Sequence, residues 1–284
     1  MRKHIRFPGN RIKALTLSYD DGVETDYRLI EIMQKNGLKG TFNINSGGLS
    51  PEGTVFPAGQ AQRVMCESRL VQCYTGSGME VATHGYTHPY LDRLSPEMCT
   101  FEVMADRAKL ETLFGGTVRG HAYPFGTYND TVLDVLRKCG IVYARTCKST
   151  EGFSLPKDPL ILNPTCHHDN PRLMELLDSF LNRKNSTDPL LFYLWGHSYE
   201  FDGDNTWNVI EDFCAKAGGH DDVWYATNIE IIDYVRACES LITSADGRTL
   251  YNPTNTDVAF FFGGSGVKDE GTREIKAGQT IHID

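Results

Sequence analysis

The chain has 284 residues, 40% of them apolar, and a formal charge of −9. That length accommodates one large domain or two small ones. The acidic balance argues against a duplex nucleic-acid binder, which would carry a basic face, and no apolar run is long enough to span a membrane.

The first eight residues, MRKHIRFP, are basic but no apolar segment follows them. This is not a secretory signal pattern, and a cytoplasmic setting is expected. Residues 14–19 read as a strand, 24–36 as a helix stopped at Gly37, and 39–45 as a strand with alternating Phe42 and Ile44. A loop over 46–59 leads to a helix near 60–74 and a short strand at 79–83. Ser95-Pro96-Glu97 supplies an N-cap and a first-turn proline for a helix running to about Phe114. Strand 118–123, helix 129–139 and strand 141–145 follow, then an irregular stretch over 147–170. Helix 171–183, strand 190–195, helix 207–216, strand 223–226 and helix 228–241 complete the alternation. The eight cysteines are scattered without a CxxC pair, as expected of buried, reduced thiols.

Seven strands, each followed by a helix or a long loop, imply parallel pairing with right-handed crossovers. Polar clusters recur just after the strands: Asp20-Asp21, Asn45-Ser46, His84 and His88, Arg145, and His197. Reacting groups gather at the carboxyl ends of strands in an α/β barrel. The fold class expected is therefore α/β, an incomplete seven-stranded (β/α) barrel over residues 1–243, of the distorted kind that the family resemblance given below implies. Residues 244–284, with strand-like stretches at 257–262 and 274–283, are expected to form a small β appendage packed on the barrel.

Asp21, His84 and His88 form the minimal three-ligand set for a catalytic divalent metal. Histidines four apart face the same way on one helical turn, so both can reach one ion. Zinc would lower the pKa of a bound water to about 7, and cobalt, nickel or manganese would also suit such ligands. Adjacent Asp20 is then free to act as the general base. His197, delivered by the apolar run 191–196, is the candidate general acid; a positioned acid or base contributes roughly 10²–10⁴ in rate.

Asp20-Asp21-Gly22, His84-Gly-Tyr-Thr-His88-Pro89, Tyr123-Pro124-Phe125-Gly126 and Leu194-Trp195-Gly196-His197 resemble, in order, motifs of the polysaccharide deacetylases. These are the NodB-homology enzymes, carbohydrate esterase family 4. The resemblance covers roughly residues 14–240. It implies a metal-dependent hydrolase that removes N- or O-acetyl groups from a carbohydrate, with Asp21, His84 and His88 on the metal, Asp20 as base and His197 as acid. Backbone N–H of Tyr123 or Phe125 would hold the oxyanion, because Pro124 has none.

Two departures stand out. Ala122 occupies the place of the family's base-orienting arginine; Arg145 is the preferred substitute, ahead of Arg119 and His121. The Asp-rich motif that supplies a partner for the acid histidine is not recognisable. Thr165-Cys-His-His168-Asp169 occupies that region, and His167, His168 or Asp169 could line the site. Tyr86 and Trp195 are aromatic candidates for substrate contact. Two other readings stay open: an amidase acting on a small amide or ureide, and a degenerate barrel that binds sugar without catalysis. The substrate partner expected is an acetylated carbohydrate, with no nucleic acid and no membrane insertion; oligomeric state is not legible.

Overall fold

The computed structural model describes residues 2–263 and 271–283. Strand β1 (Arg2–Arg6) precedes β2 (Lys13–Asp20), in which every residue is buried. A strand buried on both faces is the mark of a parallel sheet covered on both sides. Helix α1 (Asp26–Lys35) and strand β3 (Gly40–Ile44) follow. Helix α2 (Glu67–Tyr74) is shorter than the 60–74 expected. Residues 60–66 are instead held extended: Val64 bridges Val23, and the Met65 N–H donates to the Gly22 carbonyl at 2.9 Å. Tertiary pairing wins over local helix propensity there.

Strand β4 (Glu80–Thr83) leads to α3 (Pro96–Phe114), where Ser95 caps the Met98 N–H and Gly115 ends the helix in the left-handed region. Then come β5 (Gly120–Ala122), α4 (Asp130–Lys138), β6 (Tyr143–Arg145), β7 (Cys166–His167) and α5 (Leu173–Leu181). Strand β8 (Leu190–Gly196), α6 (Ser198–Gly203), α7 (Trp207–Ala217), β9 (Val223–Tyr225) and α8 (Asn228–Glu239) complete the alternation.

The parallel sheet runs β6-β5-β4-β3-β2-β8-β7, with β9 also on β2 beside residues 13–15. The seven expected strands are all present; β7 is an eighth, inside a stretch expected to be irregular. The sheet curls without closing. Irregular chain occupies the opening between β6 and β7: Leu162 bridges Arg145, and the Thr165 N–H donates to the Tyr193 carbonyl at 2.8 Å. The result is the distorted, incomplete (β/α) barrel anticipated from the sequence.

Outside the barrel wall, Leu29 and Met33 of α1, Phe180 of α5 and Phe213 of α7 pack on Leu15, Leu17 and Phe192 of the sheet, all fully buried. Each such side chain contributes roughly 1.5–3 kcal/mol by leaving water. The remaining strands are antiparallel. β10 (Ile242–Thr243), β11 (Thr249–Tyr251) and β14 (Thr280–His282) form one small sheet, and β1, β12 (Val258–Gly263) and β13 (Gly271–Ile275) another. The second is tied to α8 through Tyr234, whose hydroxyl donates to the Arg6 carbonyl and accepts from the Ala259 N–H at 3.0 Å. The Gly-rich turn expected between the last two strand-like stretches falls on 264–270, outside the described residues.

Candidate active site

Strand β2 delivers Asp20 to its carboxyl end, and the chain then turns through two left-handed residues, Asp21 at φ 80° and Gly22 at φ 62°. The turn separates two adjacent carboxylates that would otherwise repel. At the end of β4, the His84 N–H bonds the buried Asp106 carboxylate at 2.8 Å. The His84 Nδ1 lies 2.8 Å from the Ala122 carbonyl. That carbonyl accepts only from an N–H, so the ring presents its Nε2 lone pair on the opposite side.

His88 reaches the same point by a different route from the one expected. Residues 84–88 form no helical turn: Gly85 (φ 73°) and His88 (φ 57°) are both left-handed. Pro89 disfavours helical geometry at the residue before it, and the chain folds back as a tight turn. Its Nε2 lies 3.2 Å from that of His84 and 4.0 Å from Asp21 Oδ1, with His84 Nε2 3.8 Å from the same oxygen. Two imidazole nitrogens and a carboxylate oxygen within 4.8 Å of one another suit a borderline divalent metal. Burial, with His84 alongside, lowers the His88 pKa and favours its neutral, ligating form. Gln62 donates to the second oxygen of Asp21 at 3.1 Å.

Asp20 is buried and bonded on both oxygens, by Asn43 Nδ2 at 2.8 Å and by the Arg145 guanidinium. Burial works to raise its pKa, but Arg145, then His84 and His197, outweigh it and hold the carboxyl below its ordinary value. Arg145 is fully buried, with its guanidinium 4.5 Å from the Trp195 ring. The other two candidate substitutes point elsewhere: Arg119 forks onto Asp233, and His121 pairs with Thr83 at 2.9 Å.

His197 Nε2 lies 3.8 Å from Asp20 Oδ2, and its Nδ1 lies 3.1 Å from Glu200 Oε1. Glu200 is a candidate site residue that the sequence motifs do not mark. His197 and Glu200 make a reciprocal cap at the start of α6. The spacing of a helix-starting residue with glutamate three later was the available signal. His168 does not line the site. It is buried behind Glu200 with Nε2 3.0 Å from that carboxylate and its ring on Phe201, and a Cβ at Gly196 would meet its Nδ1 at 2.0 Å.

Of the remaining candidates, Tyr123 faces the core. Its N–H is already donated to the Arg145 carbonyl at 3.0 Å and its hydroxyl to that of Leu160. That leaves Phe125 of the pair. Phe125 sits at φ 58° with its ring half-exposed, stacked 3.8 Å from Tyr90 and edge-on to His88. Asp21, His88 and Phe125 are all non-glycine residues at positive φ, and such strain persists where surrounding structure enforces it, often at functional sites. Tyr86 packs on Phe101 and Gly47. Trp195 stands between Arg145 and His197, with ring centroids 5.8 Å apart for the latter pair.

Residues 9–144 match the family model described as polysaccharide deacetylase. No curated protein matches the chain. A Mycobacterium smegmatis structure assigned as a polysaccharide deacetylase is similar at 16% identity and a TM-score of 0.61, covering 83% of this chain and 94% of that one. A carbohydrate esterase family 4 pseudoenzyme from Bacillus anthracis is similar at 16% identity and a TM-score of 0.50, covering 81% and 68%. A Streptococcus pyogenes deacetylase in complex with acetate shares 25% identity over 51% of this chain, at a TM-score of 0.44; the chain spans 61% of its length. The structural likenesses concern the fold, and the family assignment rests on the matched segment. That segment contains Asp20, Asp21, His84 and His88, and it is over this segment that the chain is similar to the polysaccharide deacetylase family.

Proposed function

We propose that the chain is a metal-dependent hydrolase that removes acetyl groups from a carbohydrate. The observation that carries this reading is one cluster. Asp21, His84 and His88 converge, with Asp20 3.8 Å from His84 on one side and His197 3.8 Å from Asp20 beyond it. Asp21, His84 and His88 would hold the metal. Bound there, a zinc-like ion supplies Lewis acidity, polarising a carbonyl and making water acidic near neutral pH.

The rest is the work of this chain's side chains. Asp20, ionised and fixed by Arg145 and Asn43, accepts the proton of the attacking water. His197, charged and anchored by Glu200, gives a proton at Nε2 to the departing amine or alkoxide. The backbone N–H of Phe125 is the candidate donor to the developing oxyanion, an interaction that gains most in the transition state. Arg145 and Glu200 fill the two roles that the sequence motifs leave empty, which supports a catalytic reading over a degenerate one.

The test is acetate release from acetylated chito-oligomers by purified protein, before and after chelation and with zinc, cobalt, nickel or manganese restored. Metal-dependent release is the expected result. Turnover of simple amides or ureides with none of the oligomers would shift the reading to an amidase. Absence of turnover on either class, with or without metal, would favour a non-catalytic barrel.

A further inference from the structure

Beside the Asp21, His84 and His88 set lies a second set of donors, which overlaps the proposed chemistry only at His197 and its partner Glu200. His167 ends β7, His197 follows β8, and Glu200 opens α6; one donor atom from each lies within 4.8 Å of the others. His167 Nε2 is 3.3 Å from Glu200 Oε2, and His197 Nδ1 is 3.1 Å from Oε1. His168 Nε2 adds a third imidazole, 3.0 Å from Oε2. One carboxylate is thus ringed by three imidazoles. The group is partly sheltered, under the edge of Trp195, whose ring centroid is 4.5 Å from that of His167.

The orientation of His167 is what distinguishes this set from a simple hydrogen-bond cluster. Its Nδ1 lies 2.7 Å from Asp169 Oδ1. The Asp169 backbone N–H lies 3.3 Å from the same nitrogen, and Nε2 faces Glu200, so each nitrogen of the ring stands against a carboxylate; with its proton on Nδ1 the ring would present the Nε2 lone pair to a cation beside Glu200. A carboxylate behind one imidazole nitrogen, with the other free to donate a lone pair, is the outer-shell arrangement typical of a histidine metal ligand. Without a cation, a proton on Nε2 joins that nitrogen to Glu200; a bound cation would take its place.

We propose that His167, His197 and Glu200 form a second site for a divalent transition metal such as zinc, and that its occupation switches the hydrolase off. The site shares His197 with the chemistry. A cation on Nδ1 replaces the proton held there and takes up the charge of Glu200. The ring then keeps one N–H on Nε2 and no longer has the imidazolium proton to give away. Excess zinc would therefore inhibit at the acid while the Asp21, His84 and His88 set stays filled. The inhibitory half of the proposal rests on the function proposed above; the binding half does not.

Equilibrium dialysis of the full chain against zinc, followed by metal analysis, separates the two. The expected result is two ions per chain, falling to one in His167→Ala and also to one in His84→Ala. Asp169 is exposed, so Asp169→Asn serves as a mild second variant. It should weaken the second ion roughly 10–100-fold, the usual effect of removing an outer-shell partner. In parallel, inhibition by excess zinc should disappear in His167→Ala. A single ion in the parent that His84→Ala abolishes would overturn the second site and leave the catalytic site standing. Stoichiometry unchanged by His84→Ala but lowered by His167→Ala would overturn the catalytic assignment instead. Two ions in the parent, both retained in His167→Ala, would overturn the present assignment of ligands.

Discussion

Arg145 on β6 holds the carboxylate of Asp20 on β2, although β5, β4 and β3 lie between their strands in the sheet. Only a curled sheet brings such distant strand ends together. Replacing Arg145 by alanine would leave Asp20 buried without its countercharge, and breaking a buried pair from one side costs about 3–5 kcal/mol. The Asp20 pKa would rise, since Arg145 is the largest of the influences lowering it. Arg145→Ala should therefore lose kcat by a large part of the roughly 10²–10⁴ that a positioned base contributes. Arg145→Lys should recover stability better than rate, because a point charge does not reproduce a planar fork. Steady-state kinetics and urea unfolding check both, with metal content measured alongside. An unaltered kcat in Arg145→Ala would remove Arg145 from the role.

Asp20 and Asp21 are adjacent but face different tasks, and a pair of substitutions separates them. Asp20→Asn keeps the shape and the Asn43 contact, leaves Asp21, His84 and His88 untouched, and removes the base. Metal content should match the parent while kcat falls roughly 10²–10⁴-fold. His84→Ala should lose both metal and turnover. Metal analysis and acetate release on the same preparations decide the matter. A parental rate in Asp20→Asn would show that another group takes the proton.

Most of the barrel and the centre of the site could be read from the sequence because each depends on local pattern. Strand-length apolar runs ending in polar residues mark the carboxyl edge of a parallel sheet, and Asp20, His84 and His197 each end such a run. What local pattern could not show was supplied by folding at long range. Residues 60–66 are drawn out of a helix by pairing with Val23. His84 and His88 converge through a proline-terminated turn, where HxxxH spacing alone suggests a helix. Tyr123 looks available in the sequence, but its N–H is spent on Arg145. Glu200 goes unmarked for the opposite reason. Its partner is only three residues away, whereas the motif order points to an acid-orienting carboxylate in the region 147–170.

Glu200 also sets the pH range over which His197 can serve as an acid. Burial lowers the pKa of His197, but the Glu200 hydrogen bond, with Asp20 and Asp21 behind it, raises it above the ordinary histidine value. The protonated acid therefore persists to higher pH than in a free histidine, and activity declines as pH rises through that elevated pKa. Glu200→Gln removes the main raising influence while keeping an acceptor for Nδ1. The alkaline limb of kcat against pH should move to lower pH, with the acid limb little changed. A purely structural Glu200 would lower the whole profile without displacing that limb. Zinc is best kept just stoichiometric, so that occupation of a second site does not mimic the shift.

A different carboxyl makes its own contribution to how stability responds to pH. Asp26 at the start of α1 is fully buried and accepts from the Val23 N–H at 3.1 Å, the Tyr74 hydroxyl at 2.5 Å and the Ser198 hydroxyl at 2.5 Å. Burial raises its pKa to about 7 despite these bonds, with Asp21 adding to the rise. Glu80 and Asp106 are likewise raised to about 7, each chiefly by burial. In the unfolded chain these groups ionise near the ordinary carboxyl value, so between about pH 4 and pH 7 the folded state holds protons that the unfolded state has released. The contribution of these three groups to stability then falls as pH rises through that window and levels off above it. Asp26→Asn removes one of these sites with little change in shape. Its amide oxygen can accept from Val23 and Tyr74, and its NH₂ can donate to Ser198, which turns its own proton to Thr25, 2.7 Å away. At pH 8 the variant should be more stable than the parent by on the order of 2 kcal/mol, within the 1.36 kcal/mol per pKa unit that linkage allows. At pH 5 the difference should be clearly smaller, and it should vanish only near pH 4, where both folded and unfolded chains hold the proton. Urea denaturation at both pH values measures this directly, and a variant less stable than the parent at pH 8 would mean that Asp26 is stabilising as the anion.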